Sequence, residues 1–595
     1  ATKMPTEFTA VASMTGALQT YNNIGTRDDY LTGGAHVFIG DKVDKFSWRF
    51  SLTHQDAQTQ PRSFITGAGV TPYTYIKKDG TSGNQYLGAG SILHGVSDAV
   101  NLKATYELTP DIKLTLAPSI WYGETNAKGQ SYLSPLSFSG FNTSTSANIF
   151  DLNQEHYMNS VTLQSIGKKD FTWEFVSSNY SYGKNLQRWS STVNADGSTP
   201  SGAGYLADYH GTGWTNLDWR ANYQYQDSHV FSFGAHYDYN KLNYRLASVS
   251  NWMSASPNDG LASAVTKGVT QTKALWVQDA WKLSDIHKLT TGLRAEKWHS
   301  NDGYLIANGV AYTPGSLNYD AISPKVSFSW DLQNSWITTL SYGRATRFPT
   351  TGELYNVASA STVVGDTTNA RTAPKLMPPI GDIKPEKVDS FEVSFETFKD
   401  DGEFRATFFS QDVTDALLST LGLLNQNAPY SGVYYSYWQN VKRVRNFGIE
   451  FFGNRRNIFI HGLDINGSVT LLKSEILESG GQLNSLNKSI IGNPVPYVSP
   501  FRVTVMATYR PDSKATYSVA ARYQRAGASS LENNDLNPNT YGGFASFFVL
   551  DAKASYKFDK NWRASIGVDN LNNQNYFVYH SFPQRTFVAN LKYTY

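Results

Sequence analysis

The chain contains no cysteine. Disulfides, thiolate metal sites and cysteine nucleophiles are therefore excluded, although a cysteine-free chain is compatible with any compartment. No apolar run approaches the roughly 18 residues that read as a membrane helix. An excess of one charge is lacking too. Lys and Arg number 51 against 49 Asp and Glu, a formal net charge of +2, so nothing points to a nucleic-acid partner. The opening residues ATKMPTEF carry no signal peptide; the chain is either mature or begins inside a longer precursor. His-Glu-x-x-His, Gly-x-Ser-x-Gly, a phosphate-cradling glycine loop and a dinucleotide fingerprint are all absent. The 11 histidines are scattered. His229 and His236 are the nearest pair and fall on opposite faces of a predicted strand, a poor metal site. Asp400 and Asp401 sit in a predicted turn, where solvated acids are ordinary. No catalytic residue, metal ligand or cofactor is assigned, and the chain does not read as an enzyme.

What the chain has is aromatic residues, 14% of it, within a modest 40% of hydrophobic residues. These residues alternate with polar ones. In RTFVANLKYTY, the last eleven residues, Phe587, Ala589, Leu591, Tyr593 and Tyr595 fall on one face, and Asn590, Lys592 and Thr594 on the other. FRVTVMATYR, LDINGSVTLL, ATYSVAARY and FVLDAKASYKF repeat the pattern. Strands are predicted at 7–18, 30–40, 45–56, 98–108, 112–122, 156–166, 171–182, 213–226, 229–240, 270–283 and 287–297. They continue at 321–332, 335–345, 388–399, 403–412, 440–455, 458–473, 495–510, 514–525, 544–558, 561–571 and 583–595. Gaps between them are alternately short (109–111, 226–228, 400–402, 511–514, 559–561) and long (57–97, 123–155, 346–387, 411–439).

That rhythm gives the fold class: an all-β transmembrane antiparallel barrel of about 22 strands, with short periplasmic turns and long extracellular loops. A sheet can cross hydrocarbon only if it closes, since no backbone polar group can be left unpaired there. The last strand should therefore pair with the first, and the chain stops where the barrel shuts. Phe587, Leu591 and Tyr593 should face lipid, with Asn590 and Lys592 in the lumen. A one-residue slip would turn Lys592 outward at up to roughly 2–4 kcal/mol. Tyr106, Tyr122, Trp330, Trp336, Tyr509, Tyr556, Trp562, Tyr593 and Tyr595 stand at strand ends, as interfacial girdles require.

Several blocks resemble one family, the TonB-dependent outer-membrane receptors, most closely their ferric-siderophore members. YGRATRFPTTGELYN (342–356) is similar to the family's barrel motif at Tyr342, Gly343, Arg344, Pro349, Glu353, Leu354 and Tyr355. Arg347–Phe348 reverses the usual Phe-Arg order. Lys384, Pro385 and Glu386 resemble its Lys-Pro-Glu strand entry. Asn440, Gly448 and Glu450 resemble its Asn…Gly-Ile-Glu strand, and Asn570, Leu571, Tyr576, Pro583 and Arg585 its last hairpin. The resemblance implies an N-terminal plug that fills the barrel, preceded by a segment gripped by the TonB energy-coupling protein. Neither is in this sequence, so residues 1–6 are expected to be the remnant of the plug-to-barrel linker and 7–595 the barrel.

The implied activity is import of a scarce ferric-siderophore chelate to the periplasm, with iron present only as part of the cargo and lipid the only other surface met. A passive channel, or a receptor for cobalamin or another metal chelate, is the alternative. Haem-transporting relatives usually carry a ligating histidine in the loop after the Phe-Arg block, and 346–387 contains none. The long loops are rich in Tyr, Ser, Asn and Gly, a composition suited to adaptable contacts. The densest stretch, NAPYSGVYYSYWQN (427–440), supplies Tyr430, Tyr434, Tyr435, Tyr437 and Trp438. These are either girdle aromatics or a stacking surface for a ligand. Arg344 and Arg347, near the top of the thirteenth strand, are candidate contacts for an anionic chelate.

Overall fold

The computed structural model describes residues 4–68, 71–133, 148–167, 170–194, 198–307, 310–332, 335–355, 383–423, 434–480 and 489–595. The wall begins with β1 Thr9–Asn23, β2 Thr26–Val43, β3 Phe46–Gln58 and β4 Asn84–Thr109. Strand β5 is split into Ile112–Leu116 and Ser119–Ser131 by Pro118, which cannot donate to a ladder. Next come β6 Phe150–Ser165, β7 Phe171–Ser190, β8 Gly213–Tyr225, β9 His229–Val249, β10 Leu261–Lys282 and β11 His287–Ala307. They are followed by β12 Leu317–Asp331, β13 Trp336–Arg347, β14 Glu386–Lys399, β15 Gly402–Leu423, β16 Tyr434–Arg455 and β17 Leu463–Glu478. The wall ends with β18 Phe501–Tyr509, β19 Ala515–Gln524, β20 Phe547–Lys557, β21 Trp562–Asp569 and β22 Thr586–Thr594.

Each strand pairs antiparallel with its neighbours, and β22 pairs back onto β1 from Val11↔Thr594 to Gln19↔Thr586, closing a barrel of 22 strands. The Tyr595 amide donates to the Ala10 carbonyl at 2.8 Å, and the Phe8 and Tyr595 rings meet edge-on at 5.6 Å. The chain therefore ends at the seam, as the alternation implies.

Register fixes the faces. In β22, Phe587 and Leu591 are exposed on the outside, while Lys592 lies opposite Ser13 and Arg563 on the inner face. Trp281, Trp330, Trp336, Phe404, Tyr556 and Trp562 form an exposed ring near the rim that holds the termini. Inside, charges are matched across strands: Arg405–Glu396 at 2.6 Å, Arg220–Glu174 at 3.0 Å and Arg522–Asp551 at 3.0 Å.

The structure departs from the expected boundaries mainly on the loop side. Residues 19–29 are ladder rather than gap, with Ile24–Gly25 as a tight turn between β1 and β2. Likewise β4 starts at Asn84, fourteen residues before the expected 98, and β10 at Leu261 rather than 270. Above the apolar band neither face of a strand meets lipid, and Tyr86, Leu87 and Ala89 of β4 and Val265 and Val269 of β10 are buried, so alternation vanishes from the sequence while the backbone ladder continues. On the β18–β22 side the ladders are short, eight to eleven residues. There the loops pack instead. Phe64, Tyr86, Tyr132 and Phe577 are buried together, joined by Tyr73, Tyr75 and Tyr541. Burial in this aromatic cap pushes the Tyr541 phenol up to about 12, and burial similarly pushes up the nearby Tyr497 phenol to about 12.

Candidate functional site

The Tyr342–Tyr355 block organises one side of the mouth. Arg347 closes β13 and sends two hydrogen bonds to Glu353, at 2.9 and 3.1 Å, with Glu386 at 3.7 Å. Glu353 is also the third residue of a reciprocal helix cap. The Thr350 amide donates to its carboxylate at 2.8 Å, and its own amide donates to the Thr350 hydroxyl at 3.2 Å. This Thr-x-x-Glu capping box starts the short helix α1, Thr351–Tyr355. Leu354 and Tyr355 are buried against Trp298 and Leu305, and Phe348 stacks on Trp298 at 5.8 Å. Tyr355 lies flat on the wall because β10 and β11 offer glycines there. A Cβ at Gly268 would stand 2.0 Å from its ring, and one at Gly303 2.8 Å. The block is thus a buttress that folds the start of the loop onto β10 and β11, three and two strands back.

The other family-like blocks are structural in the same way. Asn440 donates to the Lys384 carbonyl at 3.0 Å and accepts from its amide at 2.8 Å, while Glu386 accepts from the Leu417 amide at 2.9 Å. Asn570, at φ 52, donates to the carbonyls of Gln574 and Pro583, and Tyr576 stacks between Phe547 and Phe582.

The two arginine candidates part company. Arg344 shares its face with Trp336 and Leu340, opposite the lipid-facing row Asp389, Phe391, Val393 and Phe395. It therefore points outward, where it grips Asp389 at 2.9 and 3.0 Å beside the Tyr342 hydroxyl. Counting in twos from Leu340 gives this orientation, which leaves Arg344, a candidate contact for an anionic chelate, engaged with Asp389 on the outer face. Arg347, one parity over, lies on the lumenal face at the mouth. Of the aromatic stretch, Tyr430 lies outside the described residues. Tyr434, Tyr435 and Tyr437 belong to the backbone of β16, and Trp438 is half-buried there, paired with Ser419. Half of the expected loop is therefore strand.

A lumenal aromatic panel escaped the sequence reasoning. His156 of β6 is stacked on Tyr182 at 4.1 Å and 9°, lies 5.2 Å from Trp121, and is 2.7 Å from the Tyr180 hydroxyl. Trp214 stacks on Tyr180 at 5.9 Å. The signal was a change of parity, with Phe171 and Phe175 on the outer face of β7 but Tyr180 and Tyr182 on the inner. Six residues down β8 from Trp214, roughly 20 Å along the strand, Arg220 opens a concavity of about 830 Å³ in the lumen wall. Arg294, paired with Glu296 at 2.8 Å, Trp276 and Lys325 also line it. Its size is that of a small-molecule site. Among the described residues, no group of three or more His, Cys, Asp or Glu is placed to hold a bare ion.

A closed barrel with an apolar belt, a charged lumen and its long connections on one rim is an outer-membrane transport protein and not an enzyme. The family described as TonB dependent receptor-like, beta-barrel, matches residues 16–571, and the chain belongs to it. Solved structures share the fold at low identity. The ferric citrate transporter FecA in its unliganded form is 14% identical with a TM-score of 0.66, covering 100% of this chain and 79% of its own. The copper transporter OprC is 14% identical with a TM-score of 0.65, covering 100% and 81%. The ferric yersiniabactin uptake receptor FyuA from Yersinia pestis is 14% identical with a TM-score of 0.63, again covering 100% and 81%.

Proposed function

We propose that this receptor binds a ferric-siderophore chelate from outside and passes it to the periplasm, with energy supplied by TonB through a plug seated in the lumen. Residues 1–6 as the end of the linker from that plug belong to the same proposal. The observation that carries the ligand class is the panel of Trp121, His156, Tyr180, Tyr182 and Trp214, which presents ring faces to the lumen above a cation-bearing concavity. Offset or edge-on ring contacts add about 0.5–1.5 kcal/mol each beyond area burial. Arg347 at the mouth would complete the first contact, and Tyr430, Tyr434, Tyr435, Tyr437 and Trp438 are proposed to join it. A chelate of several hundred daltons needs a wide barrel of this kind, since it cannot pass a standard porin.

The test is ligand-quenched fluorescence of the purified protein against a panel of ferric chelates, cobalamin and haem. Replacing Trp121, Tyr182 and Trp214 together by Ala should weaken binding of the preferred ferric chelate at least tenfold, with the heat-resistant folded band unchanged. A companion variant of Tyr434, Tyr437 and Trp438 reports on the 430–438 stretch separately. Tight binding of cobalamin alone would reject the siderophore assignment. Uptake of the radiolabelled chelate that persists in cells treated with a protonophore would reject energy coupling.

A further inference from the structure

Along the outer face of β10, Trp281, Val277 and Leu275 give way to Lys273, and along β11 Leu293 and Ala295 give way to Lys297. Leu275 is 68% exposed and Ile322, beside Ala295, 63%, which marks the top of the lipid-facing band. Lys273 and Lys297 are direct cross-strand partners in the ladder. Like charges facing each other in this geometry destabilise a sheet. Neither ammonium forms an ion pair with a described residue. Asp320 faces Lys297 from β12 in register but is not within ion-pairing distance. Lys241 and Lys267 continue the same face four and six ladder positions further up, exposed and likewise without an ion pair among the described residues. Arg245, nearby, is already held by the carbonyls of Pro257, Asp259 and Gly260.

The rest of the outer face shows what a self-sufficient solution looks like. Just above the apolar band of β13–β16, Arg344 is matched by Asp389, and Arg443 and Arg445 share Asp412 at 3.2 and 2.9 Å. On β3–β6 the outward residues above the band are predominantly acidic: Asp56, Asp98, Glu124, Asp151 and Glu155. Among the described residues, the β9–β11 sector sets two unmatched lysines, Lys273 and Lys297, directly opposite one another at the level where lipid headgroups lie.

We infer that Lys273 and Lys297 form a docking site for the phosphate of an outer-leaflet lipid, with Lys241 and Lys267 available to further anionic groups of the same headgroup. The acyl chains would lie on Leu275, Val277, Leu293 and Ile322. A phosphate between the two ammonium groups removes their repulsion, and phosphate contacts by lysine are salt-sensitive point-charge interactions. Tyr237, the partner of Lys273 on β9, flanks the site with a ring at the interface.

The intact protein, delipidated in a neutral detergent, would be titrated with bis-phosphorylated lipid A and followed by native mass spectrometry. The expected result is a bound lipid in the parent, at least tenfold weaker binding in K273Q/K297Q, and near-parental binding in K273R/K297R. Lipid A stripped of both phosphates should bind the parent as weakly as intact lipid A binds the Gln variant. Equal affinity for the two lipids would overturn the proposal by assigning retention to the chains alone. Unchanged affinity in K273Q/K297Q would overturn it as well. Inorganic phosphate at millimolar concentration should leave the lipid bound; occupancy by phosphate alone, without lipid, would refute a lipid site. Folding of each variant is checked by its heat-resistant band, and K273Q alone substitutes if the double variant fails to assemble.

Discussion

Tyr355→Ala separates the buttress from the barrel. The Tyr355 side chain is 2% exposed, pressed onto Gly268 and Gly303, and closes the cluster of Trp298, Leu305 and Leu354. Large aromatic-to-alanine changes at buried sites cost about 3–5 kcal/mol. The cost falls on the docking of α1, because the ladders of β10 and β11 do not depend on this ring. Local opening of 350–355 should therefore become easier by about 3 kcal/mol, a hundredfold or so in the opening equilibrium. Hydrogen exchange at the Leu354 amide, which donates to the Thr350 carbonyl at 3.0 Å, reads this directly. The increase saturates where the helix is already open in the variant. Exchange in β10–β13 and the temperature at which the folded band is lost should stay at parental values. An unchanged Leu354 amide, or a loss of stability spread over the whole barrel, would refute the buttress.

Deleting Thr586–Tyr595 removes nine ladder pairs with β1 and eight with β21. Since each unpaired backbone group in hydrocarbon costs several kcal/mol, no heat-resistant barrel should form, and normal yield of folded protein would contradict closure at this seam. Arg344→Ala should leave chelate affinity unchanged and stability within about 1 kcal/mol, because its ion pair is outward-facing and partly solvated. Arg347→Ala should weaken chelate binding and expose 348–355 to protease; the opposite ranking would reverse the assignment of faces. The Tyr541 phenol is held neutral by burial, so its contribution to the aromatic cap is complete below about pH 10 and fades as the pH rises towards about 12. Loop proteolysis that increases before phenolate absorbance appears would disconnect the cap from this group.

The number of strands, the seam and the inner and outer faces were legible because the membrane imposes alternation on residues such as Phe587 to Tyr595 and Phe391 to Phe395. Where neither face meets lipid, as at 84–97 and 261–269, no pattern survives; Tyr86, Leu87 and Ala89 are buried by loop residues on both faces, and the ladder there is set by neighbouring strands rather than by its own residues. Arg344 faces outward, an orientation that Leu340 and Trp336 give by parity. The family resemblance identified the block, but the block's arginines serve an outer-face ion pair and a helix cap. The His156 panel needed four strands in register, β5 through β8, to become a surface. The pairings Trp121↔His156, His156↔Tyr182 and Tyr180↔Trp214 chain together residues from Trp121 to Trp214, and no local pattern reports them.

The unequal heights of the wall divide the outer half of the protein into two materials. From β9 to β11 each strand runs 21 or 22 residues, so that side rises as continuous backbone ladder. Bending it would mean breaking hydrogen bonds in sequence. From β18 to β22 the same elevation is reached by loops held through rings such as Phe64, Tyr86 and Tyr541, contacts that can be exchanged one at a time. A cargo arriving at the mouth therefore meets a stiff post on one side and a yielding shutter on the other. Any closing motion is confined to the shutter, while the lumenal face of the post keeps its geometry.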